Sequence, residues 1–380
     1  ENMQFKDIIG QRDLINRLTT IIDSGRVPHA QLFLGANGYG PLPLAIAYAQ
    51  YLGCQHRQHF DGGDLRADSC GECPSCKKFQ QLMHPDLHFY FPNAISADVK
   101  KDPQSSEFLP QFRSFLAEKG QYATLEEWYE YIGIDNKQGI INVRDANELL
   151  KDLGLKAYEG GYKVVVVWMV EKMNVQAANK LLKFIEEPSP NTLILLVAEK
   201  KEALLDTIVS RTQPVVVGRI DSQSLMGAFP GQSADLAQAA EGDYVQARHL
   251  LQQSEQEQRY AQLFVAWMRQ LFKLNMANLS AWVEEMAAFT REGQKQFLLY
   301  AMEAVRACYL QTASGFRLGH RLQFGDDKFN ASFPNFITAN NIELINTAFN
   351  KTYYAIERNA YAKIAFMQLI FDLSKALAKK

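Results

Sequence analysis

The chain has 380 residues, 47% of them apolar, and sets 40 basic against 42 acidic side chains for a net charge of −2. That length exceeds what one hydrophobic core serves and calls for two or three domains. The near-neutral balance argues against a protein that grips a nucleic-acid backbone by its own basic excess, so any DNA contact is expected to be shared with partners.

No run of eighteen apolar residues occurs, and Glu1–Gly10 lacks a basic stretch followed by an apolar one. No membrane span and no secretory leader are expected, which points to the cytoplasm. From Asp13 to Ile22 the apolar positions Leu14, Leu18, Ile21 and Ile22 recur at helical spacing. Ala30–Leu34 reads as a short buried strand. It runs into the glycine-rich turn Gly35-Ala36-Asn37-Gly38-Tyr39-Gly40, and Pro41–Leu52 then reads as an alanine-rich helix. Proline suits that first helical turn because its N–H would have no intrahelical partner. Residues 91–140, with many aromatics and with Pro103 and Pro110, are predicted to form helices of an insertion.

Val143–Leu155 is again helical in pattern. Lys163–Trp168 is continuous and β-branched, as expected of a parallel strand buried on both faces. A helix from Gln176 to Glu187, stopped by Pro188, leads to a strand over Thr192–Val197 and a shorter one over Val215–Val217. Strands alternating with helices predict a parallel α/β sheet. After Arg219 only helical runs follow: Leu236–Ser254, Glu257–Met276, Gln294–Thr312 and Ile342–Lys379. A domain change is placed near Arg219 and a weaker one near Ser254.

A working phosphate loop reads G-x-x-x-x-G-K-[ST] between a strand and a helix; backbone N–H groups and the lysine hold phosphates, and the hydroxyl holds magnesium. Here Gly35, Gly38 and Gly40 keep the frame, but Pro41 stands at the lysine position and Leu42 at the hydroxyl position. Proline offers neither charge nor N–H, and leucine cannot bind a cation. The strand that should end in an acidic pair for magnesium and water ends in Trp168-Met169, with Glu171 past the expected place. Both halves of the magnesium site are missing, so ATP hydrolysis by this chain is not expected. The plainer alternative is a glycine-rich turn that never bound nucleotide.

There are five cysteines, four of them clustered. Cys70, Cys73 and Cys76 form C-x2-C-x2-C, with Cys54 upstream. An odd, tightly clustered set argues against a disulfide framework; four thiolates close the tetrahedral shell of a structural zinc. An iron–sulfur cluster is the rival, although no cysteine followed by proline comes shortly after Cys76. Four free thiols are the remaining alternative, and His56, His59 or His84 could replace Cys54 as a ligand. Cys308 reads as a buried helical thiol.

Further phrases carry a resemblance. Ala178-Asn179-Lys180-Leu181-Leu182-Lys183-Phe184-Ile185-Glu186-Glu187-Pro188 and Leu204-Leu205-Asp206-Thr207-Ile208-Val209-Ser210-Arg211-Thr212-Gln213 resemble the A-N-x-L-L-K-x-L-E-E-P and L-L-x-T-I-x-S-R-C-Q signatures of bacterial clamp-loader ATPases. Phe5–Gln11, Pro28–Phe33 and His84–Leu87 resemble other phrases of that family. Losing the lysine and the acidic pair while keeping S-R-x-Q is similar to the delta-prime branch of the DNA polymerase III clamp loader rather than to gamma/tau. Thr212 departs from the usual cysteine, the 91–140 insertion is atypical, and Gly242-Asp243-Tyr244-Val245 puts valine where active members carry a sensing arginine.

The resemblance implies a RecA-like α/β domain of the AAA+ class over 1–218, with a zinc module at 54–76. An all-α lid over 219–253 and an all-α collar that assembles subunits over 254–380 would follow. It implies that Arg211 acts in trans as an arginine finger toward a neighbouring gamma/tau ATPase. Any single arginine is more often a surface ion pair. Partners would be gamma/tau and delta, with the sliding clamp and primer-template DNA reached through the complex. The Glu186-Glu187 pair reads as structural or interfacial. Two other readings stay open: an active P-loop-type ATPase with a non-standard site, which would turn over ATP alone, and a zinc-dependent DNA-binding protein, which would bind DNA tightly without partners.

Overall fold

The computed structural model describes residues 3–120, 122–134, 138–159, 161–232, 234–273, 275–314 and 324–378. Residues 121 and 135–137 of the predicted insertion, and the last residue of the helix predicted over 342–379, lie outside the described residues. The chain divides into two compact units, Glu1–Leu250 and Leu251–Lys380.

Among the described residues the first unit is built on seven strands: β1 (Ala30–Leu34), β2 (Gln58–His59), β3 (Ala67–Asp68), β4 (Leu87–Tyr90), β5 (Lys163–Trp168), β6 (Thr192–Ala198) and β7 (Gln213–Val216). Five make one sheet in the order β4-β5-β6-β1-β7, and β2 and β3 make a separate hairpin. Every pairing in the large sheet is parallel, with Ala30 opposite Ile194, Gln31 opposite Gln213, Leu87 opposite Val164 and Lys163 opposite Thr192.

Helices cover both faces: α1 (Arg12–Asp23), α2 (Pro41–Gly53), α3 (Pro74–Gln80), α4 (Ser105–Lys119), α5 (Leu125–Tyr131), α6 (Val143–Gly154), α7 (Val175–Glu186) and α8 (Asp206–Val209). The two-residue period of a strand sorts its side chains between them. Val164, Val166 and Trp168 join the core with α1, α2, α4 and α5. Val165 and Val167 join the opposite core with α6, α7 and Ile208 of α8. Burial on both faces explains why β5 and β6 read as unbroken apolar runs.

The insertion is fused to this core rather than hung from it. Phe112 of α4 stacks on Phe91 at 4.1 Å and meets Trp168 of β5 at 5.7 Å. The indole N–H of Trp128 in α5 donates to the Pro92 carbonyl at 2.9 Å. A fully buried carboxylate, Asp145, ties the ends together. It accepts from Ser105 N–H at the start of α4 (2.7 Å), from Asn142 N–H before α6 (3.0 Å) and from the Asn93 amide (3.3 Å). Burial pushes its pKa above the usual carboxylate range. Asp145→Ala would leave the buried Ser105 N–H and the half-buried Asn142 N–H unmatched, while the Asn93 amide keeps the Phe91 carbonyl and Ser105 Oγ; it is expected to cost about 3 kcal/mol, read as a lower urea midpoint at unchanged slope.

Two features escaped the pattern reading: the edge strand β4 and the β2–β3 hairpin. Helix boundaries in the polar C-terminal half also differ. The chain turns at Glu241 and Gly242, both at positive φ, and then runs as a single helix, Tyr244–Lys273, through Ser254. The run from Ile342 is two helices, Ile342–Glu357 and Ala362–Ala378, with Asn359 at positive φ between them. A left-handed residue past a helix end satisfies the last carbonyls and stops the helix.

The second unit is entirely helical among the described residues. Its core stacks Trp267 on Trp282 at 4.3 Å and gathers Phe264, Phe297, Phe349 and Phe366. Cys308 is fully buried there, and burial pushes its thiol up to about 12. Among the described residues no helix is long and apolar enough to cross a membrane.

Candidate functional site

In an open parallel sheet, ligands sit beyond the carboxyl ends of the strands, where the chain reverses its direction of travel across the sheet. Here the chain leaves β1 for β4, works back through β5 and β6, and crosses over β1 to reach β7. The Gly35–Gly40 loop follows β1 at that edge. Asn37–Tyr39 forms one 3-10 turn, and Gly40 has φ +89° before Pro41 opens α2. Only glycine takes that conformation without strain. The frame of a phosphate loop is therefore in place, while Leu42 is fully buried in the core and Pro41 is buried beside it.

The loop is also covered. A Cβ on Gly38 would lie 1.7 Å from Oδ1 of Asp243, and one on Gly40 would lie 2.9 Å from the Tyr122 ring. The Asn37 side-chain amide donates to the Ala123 carbonyl at 2.6 Å. Glu199 directly follows β6, and the Asn37 backbone beside it pulls its carboxyl pKa partly back down. Glu199 N–H donates in turn to Glu171 Oε1 at 2.8 Å. Burial raises both carboxyl pKa values; the charges of Glu171 and Glu126 push Glu199 further up, while backbone donors and the Lys172 charge pull Glu171 partly back. Glu171 thus stands at this edge beside Glu199, although the spacing after β5 placed it past the site. Tyr122, Glu199 and Asp243 were not foreseen. Glu199 alone had a local signal, a carboxylate at the carboxyl end of a buried strand.

Arg211 lies on the far side of α8, in the turn that leads to β7. Thr212 Oγ1 donates to the Ile208 carbonyl at 3.0 Å and fixes that turn. The guanidinium is partly exposed; its Nε donates to Glu186 Oε1 at 2.5 Å and its Nη1 to the Thr207 carbonyl at 3.2 Å. Glu186, the last residue of α7, is its ion-pair partner.

The four cysteines converge. The Sγ atoms of Cys54, Cys70, Cys73 and Cys76 all lie within 4.8 Å of one another. A tetrahedral zinc–thiolate site asks for sulfur spacings of about 3.8 Å, and Cys70 and Cys76 stand at 3.9 Å. Cys54 ends α2, Cys73 caps α3 and Cys76 sits in its first turn. Backbone N–H groups of Cys70, Cys73 and Cys76 point at the sulfurs of Cys54, Cys70 and Cys73, at 3.3, 3.3 and 3.4 Å. Donors aimed at sulfur favour the thiolate; the Cys76 thiol bonded to Cys54, with help from the Cys70 N–H, takes Cys54 down to about 5. The donor set fits one metal ion with no position left open. His59 pairs with Asp23 at 3.0 Å and His84 with Glu159 at 3.2 Å, and His56 is exposed, so among the described residues no histidine joins the group.

Comparison with known proteins follows the same region. Residues 10–221, more than half of the chain, match the family model described as "DNA polymerase III, delta subunit". The chain is 28% identical over 203 residues to DNA polymerase III subunit delta' of Bacillus subtilis, covering 53% of this chain and 46% of that one. It is 29% identical over 263 residues to subunit delta' of Pseudomonas aeruginosa, covering 67% and 65%. It is 27% identical over 207 residues to subunit tau/gamma of Haemophilus influenzae, covering 54% and 22%. The chain spans about half the length of the Bacillus subtilis relative. On the extent of the family match, the chain belongs to the DNA polymerase III delta-subunit family, with proteins named subunit delta' among its relatives.

Proposed function

We propose that the chain is the stator-type, delta-prime subunit of a replicative clamp loader. It does not hydrolyse ATP; it presents Arg211 to the ATP site of an adjacent gamma/tau subunit. Gamma/tau and delta are its partners, and the sliding clamp and primed DNA are reached through the complex. The observation that carries this reading is the pairing of an intact loop frame with a buried Leu42 where magnesium would need a hydroxyl, in a chain that keeps Arg211 at the surface.

The remaining parts take roles in that assembly. Residues 1–218 form the AAA+ domain, 219–253 its lid and 254–380 the collar. Cys54, Cys70, Cys73 and Cys76 hold a structural zinc, which fastens the end of α2 to the start of α3 and supplies no chemistry to a substrate. A guanidinium fork delivered from a neighbour stabilises charge on a transferring phosphoryl group. The tau/gamma relative supports this class of machine, and loss of the lysine and the acidic pair supports the inactive role within it.

The test is reconstitution with the gamma/tau and delta subunits of the same organism. The chain alone is expected to show no ATP turnover. Added to the other subunits it is expected to join a stable complex and to restore DNA-stimulated clamp loading. Failure to assemble would overturn the clamp-loader reading, and turnover by the chain alone would overturn the inactive-site reading.

A further inference from the structure

The crevice over the Gly35–Gly40 loop has an occupant supplied by the chain itself. After α4 the insertion returns across the loop. The Tyr122 ring covers Gly40, and the Ala123 carbonyl takes the Asn37 amide proton at 2.6 Å. The Tyr122 hydroxyl accepts the Ile9 N–H at 3.1 Å, which fixes the ring.

The same ring lies 4.8 Å from Tyr244, which stacks on Phe229 at 5.0 Å. Tyr122 thereby enters the small apolar cluster of Ile220, Leu225, Ala237, Ala240 and Ala247. A second tie lies one turn along. Arg248 donates to Glu127 of α5 at 2.8 Å, and both side chains are largely shielded, at 18% and 24% exposure. Glu127 is held from behind by the Thr124 N–H at 2.7 Å. A third contact sets the Asp243 carboxylate against Gly38 while it accepts the Gln246 N–H at 2.9 Å.

A working loop offers its backbone N–H groups to phosphate oxygens. Here the Asp243 carboxylate lies against Gly38, and Glu199 lies near enough to the Asn37 backbone for it to lower the carboxyl pKa. These are carboxylates where a working loop would meet an anion. We infer that the Tyr122–Glu127 segment of the insertion is a built-in stopper: it fills the crevice in place of a nucleotide and straps the Ile220–Ala247 helices to the α/β core, so that these helices keep one arrangement whether or not nucleotide is present.

The inference extends the reading of the loop as inactive. Its test uses the isolated full chain, so it succeeds or fails independently of the assembly experiment. Backbone hydrogen exchange is followed by mass spectrometry in peptides from 220–247, from the 35–44 loop and from β5 and β6. Wild type is expected to exchange slowly in 220–247, and magnesium with ATP or ADP is expected to change nothing. Arg248→Ala and Tyr122→Ala are each expected to speed exchange in 220–247 by about tenfold while β5 and β6 stay protected, because a strap controls local opening and not global unfolding. Tyr122→Phe keeps the ring over Gly40 but loses the hydroxyl that takes the Ile9 N–H, and is expected to exchange at a rate between those of wild type and Tyr122→Ala. If Tyr122→Ala unfolds the domain, seen as lost protection in β5 and β6, the Arg248→Ala result decides. Unchanged exchange in Arg248→Ala would overturn the strap, and protection of the 35–44 loop by nucleotide in wild type would overturn the stopper.

Discussion

Arg211→Ala is expected to leave the reconstituted complex assembled and to cut turnover at the neighbouring ATP site by roughly 10^3-fold, the low end of what an arginine supplied in trans contributes. Ser210 and Thr212 bond back to the Thr207 and Ile208 carbonyls at 3.3 and 3.0 Å, and these contacts set the turn. Glu186 then takes Nε at 2.5 Å, so the guanidinium is oriented before any partner arrives. Pre-orientation reduces the entropy cost of placing a long side chain at a phosphate.

If Arg211 served only this surface ion pair, its loss would cost less than about 1 kcal/mol of stability and would leave turnover alone. The two cases separate in a single-turnover ATPase assay on assembled complex. Arg211→Lys sharpens it: a point charge replaces a planar fork, so lysine should recover little of the lost rate. Glu186→Gln is the counterpart. It removes the tether's charge and should leave the complex active. Unchanged turnover in Arg211→Ala would remove the finger.

The sheet was legible for a physical reason. Strands β5 and β6 are buried on both faces, so Val164–Trp168 and Leu193–Ala198 are continuous apolar runs that no helix period explains, and β1 departs from that pattern only at the buried Gln31. β4 was missed because it has only four residues at an edge of the sheet and follows a proline turn. The Cys54–Cys76 set and the Gly35–Gly40 frame were legible because both are local in sequence. What fills that frame was not. Tyr122, Glu199 and Asp243 come from separate stretches and meet only when β6 lies beside β1 and the insertion folds back. Glu171 shows the same limit: it lies beyond the end of β5, and Met169 at φ +57° turns the backbone there so that its carboxylate takes the Glu199 N–H. Spacing along the chain records periodicity and cannot record such a turn.

The second large effect concerns the cysteine cluster. Purified chain is expected to carry one zinc, and Cys76→Ser is expected to lose it. Structural zinc sites of this kind contribute roughly 10–16 kcal/mol of apparent binding energy at neutral pH, and without a preformed site that energy is folding energy. The loss should stay local. The β2–β3 hairpin has only one pair of two-residue strands, too little to hold itself. Both large cores of the first unit draw most of their members from elsewhere.

Damage should spread instead to the N-terminus. Gln4 donates to the Ser69 carbonyl at 2.6 Å, and the Phe5 and Lys6 N–H groups end on the buried Asp68 carboxylate at 3.0 and 2.9 Å. Releasing the cluster frees all three ties. Limited proteolysis should therefore cut between Cys54 and Cys76 and near the N-terminus in Cys76→Ser or chelator-treated protein, while β5 and β6 stay intact. Visible charge-transfer absorption with iron in place of zinc would instead identify an iron–sulfur cluster. A proteolysis pattern untouched by chelator and by Cys76→Ser, with no bound metal, would leave four thiols that happen to meet.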